Sequence, residues 1–587
     1  MQIYLKERIG NPALFSGRKK EIDYFLHWIK KIERELSQST ALLSRRKTGK
    51  SAILERLYNL TFEQNGLVVP FYYEIKETSQ SIFGFSKNFF LTFVYQYLAF
   101  KTRKIEYLSP SRQDTFEPAL SMAREEKLDY LVEIIIAAQS LVKNKSVDAL
   151  WDLAREAPRS VAANANEYVV QFIDEFQHIN RYIYRDEACT SRATDLAGSY
   201  LHTAEHRNAP LLVTGSWVGW LMDDLIMQLP GRFKYEYLED MPKDECVEMI
   251  FKYCTFEEIP ITDEVAYLIA RLTEGNPFYI SSLIRSRYAH KDLTNEESML
   301  KTLEFEIHDR RGGIRGTWME YVYAALGQVN DLNAKKIVLY LCKHRDREVS
   351  RKELLEQLQL DMSDWELEKR LSALAYSDII EYGRSNFYYR GVQDNIFDKV
   401  FRSQYADEIE EFDPQDITNE YRAMFAEAKK QYHQLSGEYN YFKGKFAEFL
   451  IINQLQYRAY KQNELYCGMM KNLPSDFRFG EYKSVWSYSA ALQHRRDIQV
   501  DILAQAKHEG DYSLIGEVKN PEKTRFTVEE AHQFLEKAQA IMELEPLARV
   551  TLFVFSRAGF EVETLAFFEA QAIAWSEDSR WLERDTN

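Results

Sequence analysis

Ser44-Arg45-Arg46-Lys47-Thr48-Gly49-Lys50-Ser51 is the stretch whose reading decides the fold. It fits the phosphate-loop pattern GxxxxGK[ST], with serine in place of the first glycine. Ahead of it, Ala41-Leu42-Leu43 reads as a short buried strand; behind it, Ala52 to Leu60 reads as a helix. A strand that turns sharply into a helix aims backbone N–H groups and the positive end of the helix dipole at an anion. Gly49 lets the backbone approach closely, Lys50 has the reach for β- and γ-phosphates, and the Ser51 hydroxyl is placed to hold Mg²⁺. Ser44, Arg45, Arg46, Lys47 and Thr48 complete the predicted phosphate cradle.

The partner of such a loop is a strand ending in acid, and one follows in the correct order. Tyr168 to Ile173 is a hydrophobic strand that ends at Asp174-Glu175. Asp174 is predicted to complete the Mg²⁺ shell, and Glu175 to orient or deprotonate an attacking water. A further strand, Pro210 to Thr214, ends at Gly215-Ser216, which puts the Ser216 hydroxyl within reach of a γ-phosphate. With Leu67 to Ile75, these strands alternate with helical stretches, which predicts a mostly parallel sheet covered on both faces. Lys19 to Leu36 is predicted as an amphipathic helix, and Pro242 to His290 as helical throughout, broken at Gly275-Asn276-Pro277.

Composition sets the frame around this core. At ~150 residues per domain, 587 residues suggest about four domains. Gly 23 and Pro 14 are too few for a linker-rich chain, and 45% hydrophobic residues with Tyr 37 and Phe 35 exclude wide disorder. Lys+Arg 75 against Asp+Glu 90 gives a net charge of −15, so contact with a phosphate backbone must come from local patches. The five cysteines are scattered without a CxxC pair, and neither a signal peptide nor a membrane helix is evident, since dense apolar patches such as Ile134 to Ala138 fall far short of the ~20 residues a membrane helix needs. The expectation is a reduced, cytoplasmic, multidomain protein.

Downstream, residues 330 to 400 give three short helical patterns and a hairpin, Ile379 to Tyr389, the order of a winged helix. The acidic stretch Asp407 to Asp416, with Pro414, is the best linker candidate. Beyond it, Asp501 lies on the strand Ile498 to Leu503, and Glu517-Val518-Lys519 lies on the next strand. Side-chain alternation puts Glu517 and Lys519 on one face. Two acids on neighbouring strands can hold a divalent cation that activates water against a phosphodiester, with a lysine to place the water. Glu448, on the helix Gly444 to Leu455, is predicted as a further ligand.

Over residues 12–290 the chain resembles the archaeal-type ATPases of the signal-transducing P-loop (STAND) class. The resemblance rests on Phe15-Ser16-Gly17-Arg18, the Arg45-Arg46 pair, Ile173 to Phe176, Val213 to Ser216, Pro230-Gly231-Arg232-Phe233 and Gly275-Asn276-Pro277. It implies that Gly17 and Arg18 lie near the nucleotide base, that Arg232 senses the γ-phosphate, and that Gly275 to Pro277 belongs to a lid reporting nucleotide state. Ser44 departs from that family's glycine, which bears on turnover more than on binding. Over 436–580 the chain resembles the PD-(D/E)xK restriction-endonuclease-like fold, carried by Glu448, Asp501, Glu517-x-Lys519 and Ser556 to Phe560, with Val500 where proline is usual. Gln533 and Gln539 are weaker accessory candidates there.

The expected fold is therefore a multidomain α/β chain. A P-loop ATPase core spans 1–240 with a helical insert at 78–165, a helical lid 241–328, a winged helix 329–405, a linker 406–435, and a nuclease-like domain 436–587. The two resemblances together imply an ATP- and Mg²⁺-dependent switch controlling a metal-dependent nuclease, with Mn²⁺ an acceptable metal at the nuclease site. The expected partner is nucleic acid, DNA rather than RNA, with a protein activator or self-assembly as trigger and no membrane. Defence against phage or plasmids, or mobile-element processing, is the implied setting. A non-catalytic scaffold, or a DNA-stimulated ATPase motor, is the rival expectation.

Overall fold

The computed structural model describes residues 4–108, 115–215, 228–326, 332–385, 387–409, 414–489 and 498–583, together with Leu221 and Leu225. The chain divides into two compact units, Met1–Ala428 and Lys429–Asn587. No described helix is long and apolar enough to cross a membrane.

The first unit is built on five strands: β1 (Thr40–Leu43), β2 (Val68–Glu74), β3 (Tyr168–Asp174), β4 (Leu211–Gly215) and β5 (Lys234–Tyr237). They form one parallel sheet in the order β2-β3-β4-β1-β5. β1 and β4 are buried along their whole length, which is why they read as continuous apolar runs rather than alternating ones. Lys19–Lys30 forms helix α1, and the chain then tightens into a 3-10 turn, Lys31–Arg34, instead of continuing to Leu36. The helix α2 (Lys50–Gln64) follows β1. The insert between β2 and β3 is helical, and its first helix, α3 (Ile82–Thr102), lies against β2. Phe71 of β2 meets Phe89 and Phe93 of α3 edge-on, with ring centroids 5.1 and 5.3 Å apart. Each ring buried in this way contributes about 1.5–3 kcal/mol.

After the sheet come α4 (Lys243–Phe256), α5 (Asp263–Leu272) and α6 (Pro277–Ile284). Gly275 sits before α6 at φ +79, where an added Cβ would lie 2.5 Å from the Met241 carbonyl oxygen, so only glycine fits. Asn276 then caps α6 through its Oδ1, and Pro277 takes the first helical position. Further on, α7 (Leu332–Lys343), β6 (Val349–Ser350), α8 (Arg351–Gln357), α9 (Asp364–Tyr376) and the hairpin β7 (Ile380–Tyr382) to β8 (Tyr388–Gly391) make a small module. Its antiparallel sheet has the order β6-β8-β7. The helix α10 (Asn395–Ile409) follows.

Where the sequence suggests a linker over 406–435, a 44-residue helix, α11 (Pro414–Tyr457), begins with Pro414 at its first position. The second unit holds the sheet β9 (Tyr482–Ser489), β10 (Gln499–Ala506), β11 (Ser513–Lys519), β12 (Val550–Ser556) and β13 (Ile573–Ser576), in sequence order. β9, β10 and β11 pair antiparallel; β11, β12 and β13 pair parallel. One face packs on the end of α11 through Ile451 and Leu455. The other packs on α12 (Val528–Leu544) and α13 (Val562–Ala570), through Phe534, Ile541 and Phe568.

Candidate functional site

The Ser44–Ser51 loop leaves the C-terminal end of β1 and enters α2 at Lys50. Gly49 adopts φ +95 and Lys47 φ +62, the left-handed turn residues that fold the loop back on itself. Lys50 is buried, and its Nζ donates to the carbonyl oxygens of Ser44 (2.8 Å) and Arg45 (2.6 Å) and to Ser44 Oγ (3.0 Å). Burial brings its pKa down to about 8, against the opposing pull of Glu175 and Asp378. The hydroxyl that replaces the first glycine is used: Ser44 Oγ also shares a 2.5 Å hydrogen bond with Thr48 Oγ1.

β3 delivers the acids beside the loop. Asp174 is buried, and its carboxylate accepts from Tyr72 Oη (3.1 Å), the Glu175 N–H (3.0 Å) and Thr214 Oγ1. Glu175 is in left-handed conformation at φ +54 and accepts a 2.6 Å bond from Gln177 Nε2, with His178 Nε2 4.0 Å away. Ser51, in the first turn of α2, and Asp174, at the end of β3, carry the kind of oxygen donors that Mg²⁺ takes. Arg8, which no local motif marks, reaches the same place. Its guanidinium is 2.6 Å from Glu74, 3.2 Å from Glu55 and 3.6 Å from Asp174.

A cavity of about 500 Å³ opens over the loop. Arg46, Lys47, Lys50, Ser51 and Glu175 line it together with Leu14, Phe15, Met249, Tyr253 and Phe278. A lining that combines a cationic loop with aromatic side chains suits a ligand with a polyphosphate and a flat base. Arg18 is tied into this wall by Thr48 O (3.1 Å) and Glu239 O (2.5 Å), and its N–H donates to Glu245 (2.6 Å). Gly17, at φ +67, leaves no room for a Cβ beside Glu245 and Met241.

The loop also touches the 332–391 region. Arg45 forms an ion pair with Glu381 on β7, and Glu381 in turn holds Arg390 at 2.9 Å. The Arg46 guanidinium lies 4.0 Å from the ring centre of Tyr321, and Lys47 lies 5.5 Å from that of Phe278 in α6. From α6, Tyr279 Oη donates to Asp394 (2.7 Å), whose other oxygen caps α10 at Ile396 and Phe397. Hydrogen bonds thus run from α6 to α10, the helix after the hairpin.

Arg232 does not join the cavity. It precedes β5, whose first residue pairs with Thr40 at the start of β1, so it sits at the sheet end opposite the loop. There it holds Glu205 at 2.8 Å. Ser216 lies outside the described residues.

In the second unit, Glu448, Asp501 and Glu517 come together from α11, β10 and β11. Glu448 and Asp501 lie close enough to feel each other's charge, and burial raises both pKa values, that of Glu448 further through the neighbouring Asp501 carboxylate. Asp501 Oδ2 accepts the Val518 N–H at 2.9 Å. Glu517 is pushed up to about 7, first by burial and then by Asp501. Its Oε2 is buried without a hydrogen-bond partner, and its Oε1 meets Lys537 Nζ of α12 at 3.4 Å. Lys445 holds Glu448 at 2.7 Å. Lys519 shares the face of Glu517, as alternation requires, but its ammonium is taken by Glu530 and by the Arg525 carbonyl (3.2 Å). Among the described residues no three His, Cys, Asp or Glu side chains converge closely enough to hold a metal ion. The carboxylate donor set and the orphaned Glu517 oxygen are nevertheless of the kind a hard divalent cation takes.

No protein-family model and no curated protein matches the chain. Among solved structures, the chain is similar to a Walker-type ATPase of Pyrococcus abyssi (15% identity, 68% of this chain and 100% of that one, TM-score 0.43). It is also similar to the Aeropyrum pernix ORC1 protein in complex with DNA (13% identity, 69% and 96%, TM-score 0.34). A third is the Thermotoga maritima RuvB Holliday junction branch migration motor (13% identity, 70% and 100%, TM-score 0.31). All three TM-scores lie below 0.5.

Proposed function

We propose that the first unit is an ATP-binding and ATP-hydrolysing switch of the P-loop class, and that the second is a metal-dependent nuclease it controls. The observation that carries the first half is the Lys50 loop, set at the end of a buried parallel strand beside Asp174-Glu175 and under a cavity of about 500 Å³. ATP is taken up with its phosphates against Lys50 and the loop N–H groups and its base among Phe15, Tyr253 and Phe278. Mg²⁺ held by Ser51 and Asp174 would neutralise developing phosphate charge. Glu175 orients the attacking water, and Gln177 fixes the Glu175 carboxylate.

Residues 332–391 are read as a winged helix that senses the nucleotide through Arg45 and Glu381. Removing the carboxylate releases Arg45 to the phosphates. Glu381→Ala is therefore expected to tighten nucleotide binding by about three- to tenfold, the ~1 kcal/mol scale of a partly exposed pair. Fluorescent-nucleotide titration measures this; unchanged or weaker binding would remove Glu381 from the sensing path.

The second half is supported by Glu448 of α11 lying near Asp501 and Glu517 of a mixed five-stranded sheet, which we read as a PD-(D/E)xK site. A divalent cation bound there supplies water activation and charge stabilisation at a phosphodiester. DNA is the favoured substrate. The test incubates purified protein with linear, circular and single-stranded DNA and with RNA, in Mg²⁺ or Mn²⁺, with and without ATP. Metal-dependent loss of DNA that changes with nucleotide supports the reading. One observation favours a second reading, in which this unit only binds nucleic acid or protein: Lys519 is turned to Glu530. Retained nucleotide binding with no cleavage of any substrate would favour it.

A further inference from the structure

The part of α11 that belongs to the second unit carries exposed apolar residues at a fixed interval. Leu435, Tyr439, Phe442, Phe446 and Phe449 are separated by four, three, four and three residues, the a/d spacing of a coiled coil. Leu435, Tyr439, Phe442 and Phe449 are 52%, 64%, 70% and 56% exposed. Toward the C-terminal end the far side of the same helix is covered, with Ala447 and Ile451 buried within the second unit, while Tyr441, off the stripe, is exposed. From Gly437 to Phe442 the helix is exposed all round. Helices in that situation are normally polar, because apolar surface left facing water gains nothing from burial.

We propose that this stripe is a dimerisation seam, and that its occupant is the same stripe of a second copy, in parallel and in register. Three features support a second copy. A 4-3-4-3 interval keeps a stripe facing a neighbouring helix over several turns, which a flat or globular partner surface does not need. In a parallel in-register pair, Glu438 falls at a g position and Lys443, whose ammonium holds Glu522 at 2.7 Å within its own copy, at the e position five residues on, so each Glu438 adds a second carboxylate beside Lys443 of the other copy, twice by symmetry. Last, the four most exposed residues alone present roughly 500 Å² per copy, taking ~150–250 Å² for a whole aromatic side chain. With flanking residues this approaches the ~800 Å² per partner of a stable interface. Aromatic side chains are also the type enriched at interface centres.

Sedimentation and light scattering on the full chain test the proposal. Wild type is expected at twice the chain mass of 69.2 kDa at micromolar concentration. Phe442→Glu with Tyr439→Glu is expected to weaken association at least a hundredfold, with an unchanged circular dichroism spectrum. Val562→Glu, at an 82% exposed position away from the seam, is the control and leaves the dimer intact. Leu435→Cys reads orientation: only a parallel in-register pair brings position 435 against itself, so oxidation is expected to give a covalent dimer above the wild-type background. A wild-type monomer at all concentrations, including one in which the stripe is covered by another part of its own chain or reserved for nucleic acid, would overturn the proposal. So would a dimer indifferent to Phe442→Glu, or one that Leu435→Cys fails to cross-link.

Discussion

Lys50→Ala is expected to lower ATP–Mg²⁺ affinity at least a hundredfold, roughly 3 kcal/mol, and to abolish turnover. The loop satisfies the Lys50 ammonium with two carbonyl oxygens and one hydroxyl. These are neutral acceptors that a polyphosphate replaces with charged ones, and charge-assisted bonds are about twice as strong. The same burial supplies a signature. Burial brings Lys50 down to about 8, and an anionic ligand beside it raises that value. Binding therefore takes up a proton above pH 8, and affinity is expected to fall by up to about tenfold per pH unit there while staying flat, from this group, below 7. Calorimetry at pH 7 and pH 9 measures the slope, and Lys50→Ala should remove it along with the affinity. Arg232→Ala should change affinity by less than about twofold, because Glu205 holds that guanidinium at the far end of the sheet. A large loss in Arg232→Ala, or a pH slope that survives in Lys50→Ala, would put the phosphates elsewhere.

The difference between these two cations shows what local sequence encodes. The strand, turn and helix around Gly49 are contiguous, so burial of Ala41 to Leu43 and the loop chemistry are written within a dozen residues. β3 is legible for the same reason, a buried run with acids at its end. Arg232 belongs to a segment whose neighbours are set by strand order, and no residue near it says which end of the sheet it occupies. β5 is missed because it is an edge strand, Lys-Tyr-Glu-Tyr, exposed at both ends and without an apolar run. β9 is missed because two register shifts break its alternation.

The sites themselves are assembled over long separations. Arg8 reaches Asp174, and Arg45 meets Glu381, through contacts no spacing rule anticipates. Pro414 reads as a break in the sequence but opens a helix, since proline costs nothing at the first position, where its missing N–H would have no partner. The acid trio is half legible: alternation places Glu517 and Lys519 on one face, but cannot say that Glu530 claims the lysine.

Glu517→Gln is expected to abolish nucleic-acid cleavage, by about a thousandfold or more, and Lys537→Ala is expected to cost more activity than Lys519→Ala. An amide in place of the Glu517 carboxylate removes a charge that a metal needs and offers an N–H donor to Asp501 instead. Lys537 is the ammonium that faces Glu517, at 3.4 Å, and it also pulls on Asp501, whereas Lys519 is held away by Glu530. If the lysine that serves the reaction is the one beside the acids, the helix residue carries the role that the ExK pattern assigns to the strand. The trio's own titration gives an independent check. Glu517 holds its proton up to about pH 7, and a divalent cation must displace that proton. Apparent metal affinity should therefore be about tenfold weaker at pH 6 than at pH 8, a factor that follows from one group titrating near 7. Mg²⁺-dependent protection against thermal unfolding measures this without any cleavage assay, and Glu517→Gln should flatten it. If Lys519→Ala is the more damaging change, the ammonium must leave Glu530 for the acids when substrate binds. If metal protection does not vary between pH 6 and 8, Glu517 is not a ligand, and the second unit is a binding module.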